Sequence, residues 1–239
     1  MRRPSLLRVL AGLARATHPL PALAVTTLVG VVTATRDGRL STLGWVIAST
    51  AVGQASIGWS NDYLDRERDA AAGRRDKPLV AGEVAPGAVA ILASIAFPLS
   101  AVLSLPLGVA PASVMLAAVT SAWAYNLGLK GTPLSAVPYA VSFGLAPVYI
   151  WLATSGSSPP GWIVAAGALL GTAAHLLNAL PDFETDHRGH MPGLVHRLGF
   201  RASLLLACGV LAALLVVILV ADGVAASGGQ LAAGAIAAV

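Results

Sequence analysis

The chain has 239 residues, of which 56% are hydrophobic and only 11% charged, and its mean hydropathy is +0.76. A soluble domain carries about 25% charged residues, so this composition excludes a globule faced by water and makes lipid the expected solvent. The single cysteine, Cys208, excludes a disulfide framework within one chain, and the formal charge of +4 matters less than where the basic residues fall.

The basic start, with Arg2, Arg3, Arg8 and Arg15, precedes a full-length apolar run, Pro19–Thr35. A cleavable signal peptide would instead show a short apolar region and a small-residue cleavage site. His18-Pro19 reads as the start of that first span. Six more runs follow, each long enough to cross a bilayer. They are Leu40–Ser60, Val84–Leu105, Leu107–Tyr125, Thr132–Thr154, Trp162–Leu180 and Ala202–Ala221. An eighth run, Val224–Val239, is short and reads as a truncated or tilted last helix. The runs are continuous rather than alternating, and barrel strands are only about ten residues long, so strands are not expected. The expected fold is therefore all-α, a polytopic transmembrane helical bundle of about eight spans in a single domain over residues 1–239. Small residues such as Gly171, Ala173 and Ala174 suit close packing of membrane helices. No phosphate-binding loop or dinucleotide fingerprint is present.

If each run spans, all the basic residues except Arg36 and Arg39 fall on one side. The positive-inside rule makes that side cytoplasmic. All the acidic residues except Asp37 and Asp222 fall there as well, in the loops after the second and sixth spans. That rule does not ask for acids, so they need another reason.

The first acidic cluster reads Asn61-Asp62-Tyr63-Leu64-Asp65-Arg66-Glu67-Arg68-Asp69. On a helix, Asp62, Asp65 and Asp69 share one face, with Asn61 beside it. Three aligned carboxylates repel one another unless a cation lies between them. Oxygen ligands of this kind suit Mg²⁺, which keeps several waters and bridges to substrate phosphates. The second cluster, Asn178 to Asp186, repeats the theme: Asn178, Asp182 and Asp186 recur at i, i+4 and i+8, with Pro181 as a possible kink. A lone acidic triplet at a helix end is ordinarily just a solvated loop. Two of matching type on one side of the membrane make plausible walls around one diphosphate. Lys130 could hold a phosphate oxygen as a point charge, or serve only as an orientation charge, and Arg74, Arg75 and Lys77 divide in the same way. Arg68 lies among the acids, where salt bridging is the simple account. His187, His190 and His196 are loosely spaced and have no cysteine partner, so zinc is not expected. His175 lies inside the sixth span and either lines a cavity or packs.

These residues resemble a known family. Asn61-Asp62-x-x-Asp65-x-x-x-Asp69 followed by Lys77-Pro78-Leu79-Val80-Ala81-Gly82 is similar to the first signature of the UbiA superfamily of intramembrane prenyltransferases. Tyr125 to Lys130 resembles its Tyr-and-Lys segment, and Asn178 with Asp182-x-x-x-Asp186 its second aspartate motif. The resemblance runs from about Arg15 to Gly189. It departs in having Lys77-Pro78 where the family has Arg-Pro, and in offering eight runs where the family has nine helices. The resemblance implies Mg²⁺ held by Asp62, Asp65, Asp69, Asp182 and Asp186. It implies a prenyl diphosphate donor contacted by Asn61, Arg68, Lys77, Tyr125, Lys130 and Asn178. The acceptor would be aromatic or otherwise lipophilic, in a water-poor cavity among membrane lipid, with no nucleic acid involved.

Three other readings stay open on the sequence. A UbiA-type membrane terpene cyclase would share the metal site. A CDP-alcohol phosphotransferase would carry paired Asp-Gly and Ala-Arg elements, which do not occur around Asp62–Asp69. A transporter, scaffold or degenerate homologue would place ionisable groups at mid-span, where His175 is the main example.

Overall fold

The computed structural model describes residues 5–180, 183 and 193–237. Within them the chain is helical throughout, with no strand. A short helix α1 (Leu6–Ala16) leads into α2 (Pro19–Arg36) and the 32-residue α3 (Leu40–Ala71). Then come α4 (Pro86–Val102), α5 (Val109–Leu127), α6 (Val137–Ser155) and α7 (Gly161–Ala179). A one-turn α8 (Leu194–Leu198) precedes the long α9 (Phe200–Ala237). Three-ten turns at Leu105–Leu107 and Leu129–Gly131 join α4 to α5 and α5 to α6.

Helix boundaries follow local chemistry. Proline begins α2 and α4, where its missing N–H is not needed. The span expected from Val84 therefore starts at Pro86 instead. The span expected from Thr132 starts at Val137, because the turns after Lys130 use up the intervening residues. The run at Ala202–Ala221 and the described part of the run from Val224 lie in one continuous helix that ends at Ala237, since nothing between them breaks it: Asp222 and Gly223 weaken a helix but do not stop one.

Among the described residues, five helical segments are long and apolar enough to cross a membrane: Pro19–Arg36, Pro86–Leu107, Val137–Ser155, Gly161–Ala179 and Phe200–Ala221. Their outer faces are strongly apolar and exposed, as at Leu20, Leu23, Ile91, Ile95 and Leu219. This is the surface of an integral membrane protein. α3 and α5 are less apolar because their polar residues are turned inward. Ser49, Thr50, Ser56 and Ser60 of α3 and Asn126 of α5 are all buried.

Polar groups tie the bundle together where water is absent. The Tyr149 hydroxyl of α6 lies 2.6 Å from Ser49 Oγ and 3.2 Å from Ser104 Oγ. Trp123 Nε1 donates to Ser56 Oγ at 3.0 Å, and Ser56 Oγ donates to the Ala93 carbonyl at 2.9 Å. Each such bond satisfies a group that hydrocarbon would leave unpaired. The α6–α7 seam is built by glycine: a Cβ at Gly171 would collide with the Tyr139 carbonyl oxygen, and one at Gly167 would stand 2.5 Å from that of Phe143. Backbone atoms cannot rotate away as a side chain can. Gly171→Ala is therefore expected to part the two helices and destabilise the protein by about 1–3 kcal/mol, read as a lower melting temperature in detergent.

The length of α3 positions the site. At 1.5 Å per residue its 32 residues extend roughly 48 Å, well beyond a hydrocarbon core of about 30 Å. The first six turns or so lie in the bundle. The last three, from Asn61, project beyond the apolar core and carry the first acidic cluster on the same continuous helix.

Candidate functional site

Asp62, Asp65 and Asp69 are all buried on the inner face of α3, as their spacing requires. Beside them lies a partly open cavity of about 290 Å³. From α3 it is lined by Asn61, Asp65, Arg68 and Asp69, and from the following loop by Arg74 and Lys77. Tyr125 and Lys130 line it from α5 and the turn after it, and His175 and Ala179 from α7. Four basic side chains (Arg68, Arg74, Lys77 and Lys130), two carboxylates and an amide thus converge from segments up to 69 residues apart in the sequence, from Asn61 to Lys130.

Asp62 sits behind this wall, only 2% exposed. Its Oδ1 accepts from Lys77 Nζ at 2.7 Å and lies 2.8 Å from His18 Nε2. Because the carboxylate oxygen can only accept, His18 Nε2 must carry the proton toward it. Burial works to raise the Asp62 carboxyl, but the bonds from His18 and Lys77 outweigh it and hold the group below the usual carboxylate range. Asp62 thus fixes two nitrogen-bearing side chains, both of which line the cavity.

Asp65 is bridged by Lys130 Nζ through Oδ1 and by Arg68 at 2.8 Å through Oδ2. Burial pulls the Lys130 ammonium below the ordinary lysine value, although the Asp65 charge opposes this. Asp69 differs from both. It is 7% exposed and lines the cavity, yet among the described residues no hydrogen bond or ion pair reaches its carboxylate. Burial raises its carboxyl above the usual range. The charges of Lys77, Arg68 and Arg74 pull the other way and Asp65 adds to the rise.

Asn61 is aimed by a polar clasp. Its Nδ2 donates to Asn126 Oδ1 at 3.2 Å, while Asn126 Nδ2 donates to Ser60 Oγ at 2.8 Å and to the Ile57 carbonyl at 3.0 Å. The inner end of the cavity is aromatic. Tyr125 packs edge-on to Tyr139 and His175, at centroid distances of 5.3 and 5.8 Å. His175 Nε2 lies 3.0 Å from Ser135 Oγ, which accepts the Leu194 N–H at 3.1 Å. His175 is therefore both a packed histidine and a lining residue. Gly193 closes the chain down on this wall, since a Cβ there would meet the Lys130 carbonyl oxygen at 2.5 Å.

Of the residues singled out in the sequence, Asn61, Asp65, Arg68 and Asp69 line one cavity together with Lys77, Tyr125 and Lys130. Asn178 is exposed and stands one residue from the lining Ala179. Asp182 and Asp186 lie outside the described residues. Among those that are described, no three carboxylates, imidazoles or thiols gather closely enough to form a metal cage. His18 is the residue the sequence did not reveal. It stands 44 positions before Asp62 with no motif around it, and its one sign is the Pro that follows. In the structure it adopts left-handed backbone angles, φ 55 and ψ 69, alone among the described non-glycine residues. The Thr17 backbone that precedes it lies against Gly58, where a Cβ would come within 2.5 Å. A strained turn pressed onto α3 thus delivers the imidazole to Asp62.

The profile of the UbiA prenyltransferase family matches residues 23–239. No curated protein sequence matches the chain significantly. In three dimensions the chain is similar to a UbiA homolog from Archaeoglobus fulgidus. Against that protein bound to DMAPP and Mg²⁺ the TM-score is 0.74 at 19% identity, over 86% of this chain and 75% of the other. Against the same homolog bound to GPP and Mg²⁺ the TM-score is 0.75 at 20% identity, over 86% of this chain and 76% of the other. At such identity the likeness establishes the fold, and the site must be argued from its own residues.

Proposed function

Since the chain belongs to the UbiA prenyltransferase family, we propose that it transfers a prenyl group from a prenyl diphosphate to a lipophilic or aromatic acceptor within the membrane. The observation that carries this reading is the buried carboxylate of Asp69, without a direct partner among the described residues, facing a cavity that Lys77, Arg68 and Lys130 also line. Such a site asks for a cation and a polyanion together. The similar structures of the Archaeoglobus fulgidus homolog, bound to DMAPP or GPP with Mg²⁺, support that pairing.

The donor set fits Mg²⁺: hard carboxylate oxygens on one wall, with room for water and phosphate oxygens to complete the shell. Asp65 and Asp69 would hold it from α3 together with Asp182 and Asp186, with Asn61 and Asn178 assisting. Bound there, the metal supplies charge neutralisation to the departing diphosphate. The chain's own residues do the rest. Lys130 and Lys77 hold phosphate oxygens as point charges, and Arg68 can do so in a forked geometry. Asp62 keeps Lys77 and His18 facing the cavity. The C–O bond of the allylic donor breaks as charge moves onto the diphosphate, which these cations stabilise most in the transition state. The electron-rich face of Tyr125 lies next to the basic wall, where it can stabilise the allylic cation and help keep water away. The acceptor then bonds to the allylic carbon and loses a proton. Residues 1–239 act as one transmembrane domain, with the N-terminus and the acidic loops on the cytoplasmic side, as the distribution of basic residues indicates.

The direct test is binding of a prenyl diphosphate analogue to purified protein with and without Mg²⁺. Wild type is expected to bind only with Mg²⁺, and both Asp65→Ala and Asp182→Ala to abolish that binding. In turnover with a real donor, Lys130→Met is expected to cost a factor of about 10²–10³. A folded wild type that shows no Mg²⁺-dependent binding would refute the proposal.

A further inference from the structure

The helix α1 precedes the stretch matched by the family profile, which begins at residue 23. Its 11 residues make a rod of about 16 Å, too short to cross a bilayer. The helix has three distinct faces. Gly12 and Ala16 are buried against the protein: a Cβ at Gly12 would meet Val84 Cγ2 at 2.6 Å, and Ala16 packs in a cluster with Leu79, Val84 and Val89. A second face carries Arg8 and Arg15, both paired with Glu83. The third face is apolar and uncovered, with Leu6 73%, Leu7 79% and Leu10 52% exposed.

Three exposed leucines on a water-washed helix would be costly. Their position removes that cost. Two residues after α1 ends, α2 begins as a span, and the leucines of its first turns, Leu20 and Leu23, are 81% and 63% exposed. The uncovered face of α1 therefore adjoins the lipid-facing surface of a transmembrane helix. A short amphipathic helix at such a junction, apolar on one side and basic on the other, matches the chemistry of the boundary between headgroups and acyl chains.

We propose that α1 is an interfacial helix, lying in the plane of the bilayer at the acidic end of the bundle with Leu6, Leu7 and Leu10 among the acyl chains, and that this placement holds His18 on Asp62. The link between the two is short and stiff. Trp59 Nε1 of α3 donates to the Leu13 carbonyl at 2.9 Å, the Thr17 backbone rests on Gly58, and His18 follows at 2.8 Å from Asp62. The occupant of the leucine face is membrane lipid. The coupling to the site rests on the proposed diphosphate reading, whereas the membrane placement does not.

The experiment uses the full chain with Cys208→Ser, reconstituted in phosphatidylcholine vesicles, with a fluorophore attached at Leu7→Cys or at Arg8→Cys. The Leu7 probe is expected to be quenched by lipid brominated in its acyl chains and shielded from aqueous iodide, and the Arg8 probe to show the reverse. Iodide quenching at Leu7 overturns the proposal. So does shielding from both quenchers, which would mean that protein (a second copy or another chain) covers the face. For the coupling, the double variant Leu6→Gln, Leu10→Gln is compared with His18→Ala in binding geranyl thiolodiphosphate with Mg²⁺. The double variant is expected to lose affinity to the level of His18→Ala. Undiminished affinity with α1 shown by the probes to have left the bilayer overturns the coupling, and absent binding in wild type refutes only the diphosphate reading.

Discussion

Asp69→Asn is expected to make the metal-free protein more stable and to abolish Mg²⁺-dependent binding of prenyl diphosphate. Asp69 is 7% exposed, and no hydrogen bond or ion pair reaches it among the described residues. Burial raises its carboxyl, and the basic neighbours do not fully offset that rise. A carboxyl raised in the folded state binds its proton more tightly there than in the unfolded chain. Stability therefore falls as pH rises from the ordinary carboxylate range through the folded value, and the deficit persists above it. Asparagine keeps the shape and removes the charge, so this cost disappears. A gain of about 1 kcal/mol corresponds to roughly 2–4 °C in a chain of this size. The same change removes the proposed cation-binding oxygen. Melting curves with and without Mg²⁺ check both halves: wild type should gain stability from Mg²⁺ and donor analogue together, and Asp69→Asn should not. A variant that is less stable than wild type without Mg²⁺, or that still responds to the ligands, would contradict the argument.

Asp62→Asn, the same change two turns earlier on α3, is expected to have the opposite effect on stability. Here the carboxylate is paired with the Lys77 ammonium and hydrogen-bonded to His18, and its carboxyl lies below the usual range because those bonds outweigh burial. A depressed carboxyl contributes stability that is present above its unfolded value and is lost as pH falls through its folded value. An amide leaves the Lys77 ammonium without its counter-ion. The expected loss is about 3 kcal/mol, the low end of the range for breaking a buried pair, since His18 keeps access to solvent. The stability of wild type should fall on acidification through the carboxylate range, and Asp62→Asn should flatten that fall. Binding of prenyl diphosphate should weaken as well, because Lys77 and His18 lose the group that aims them. Thermal melting across pH 3–7 separates the two aspartates, and equal responses would show that the structural distinction between them has no energetic content.

The opposite signs expected for two aspartates on one helix face mark the limit of what spacing conveys. Periodicity places Asp62, Asp65 and Asp69 on one stripe, and the structure buries all three. Their partners come from elsewhere in the chain: Lys77 from the loop after α3, Lys130 from the turn after α5, and His18 from the turn before α2. Lys77 and Lys130 were readable because each lies in a segment that resembles the family. His18 was not, since neither its neighbours nor its spacing distinguishes it from a residue that simply starts a span.

Composition alone decided that the chain is a helical membrane protein, because 11% charged residues cannot face water and unbroken apolar runs can satisfy their backbone in lipid only as helices. The order of the runs and the two acidic segments also lay in the sequence, as local patterns. Only the tertiary structure decided that α3 continues unbroken from the bundle into its acidic end, that the last two apolar runs are one helix, and which carboxylate receives which cation. Helix formation is set by residues three and four apart. The pairing of a charge is set by whichever side chain the packing brings within about 3 Å, and here that packing depends on Gly58, Gly171 and Gly193 allowing backbones to meet.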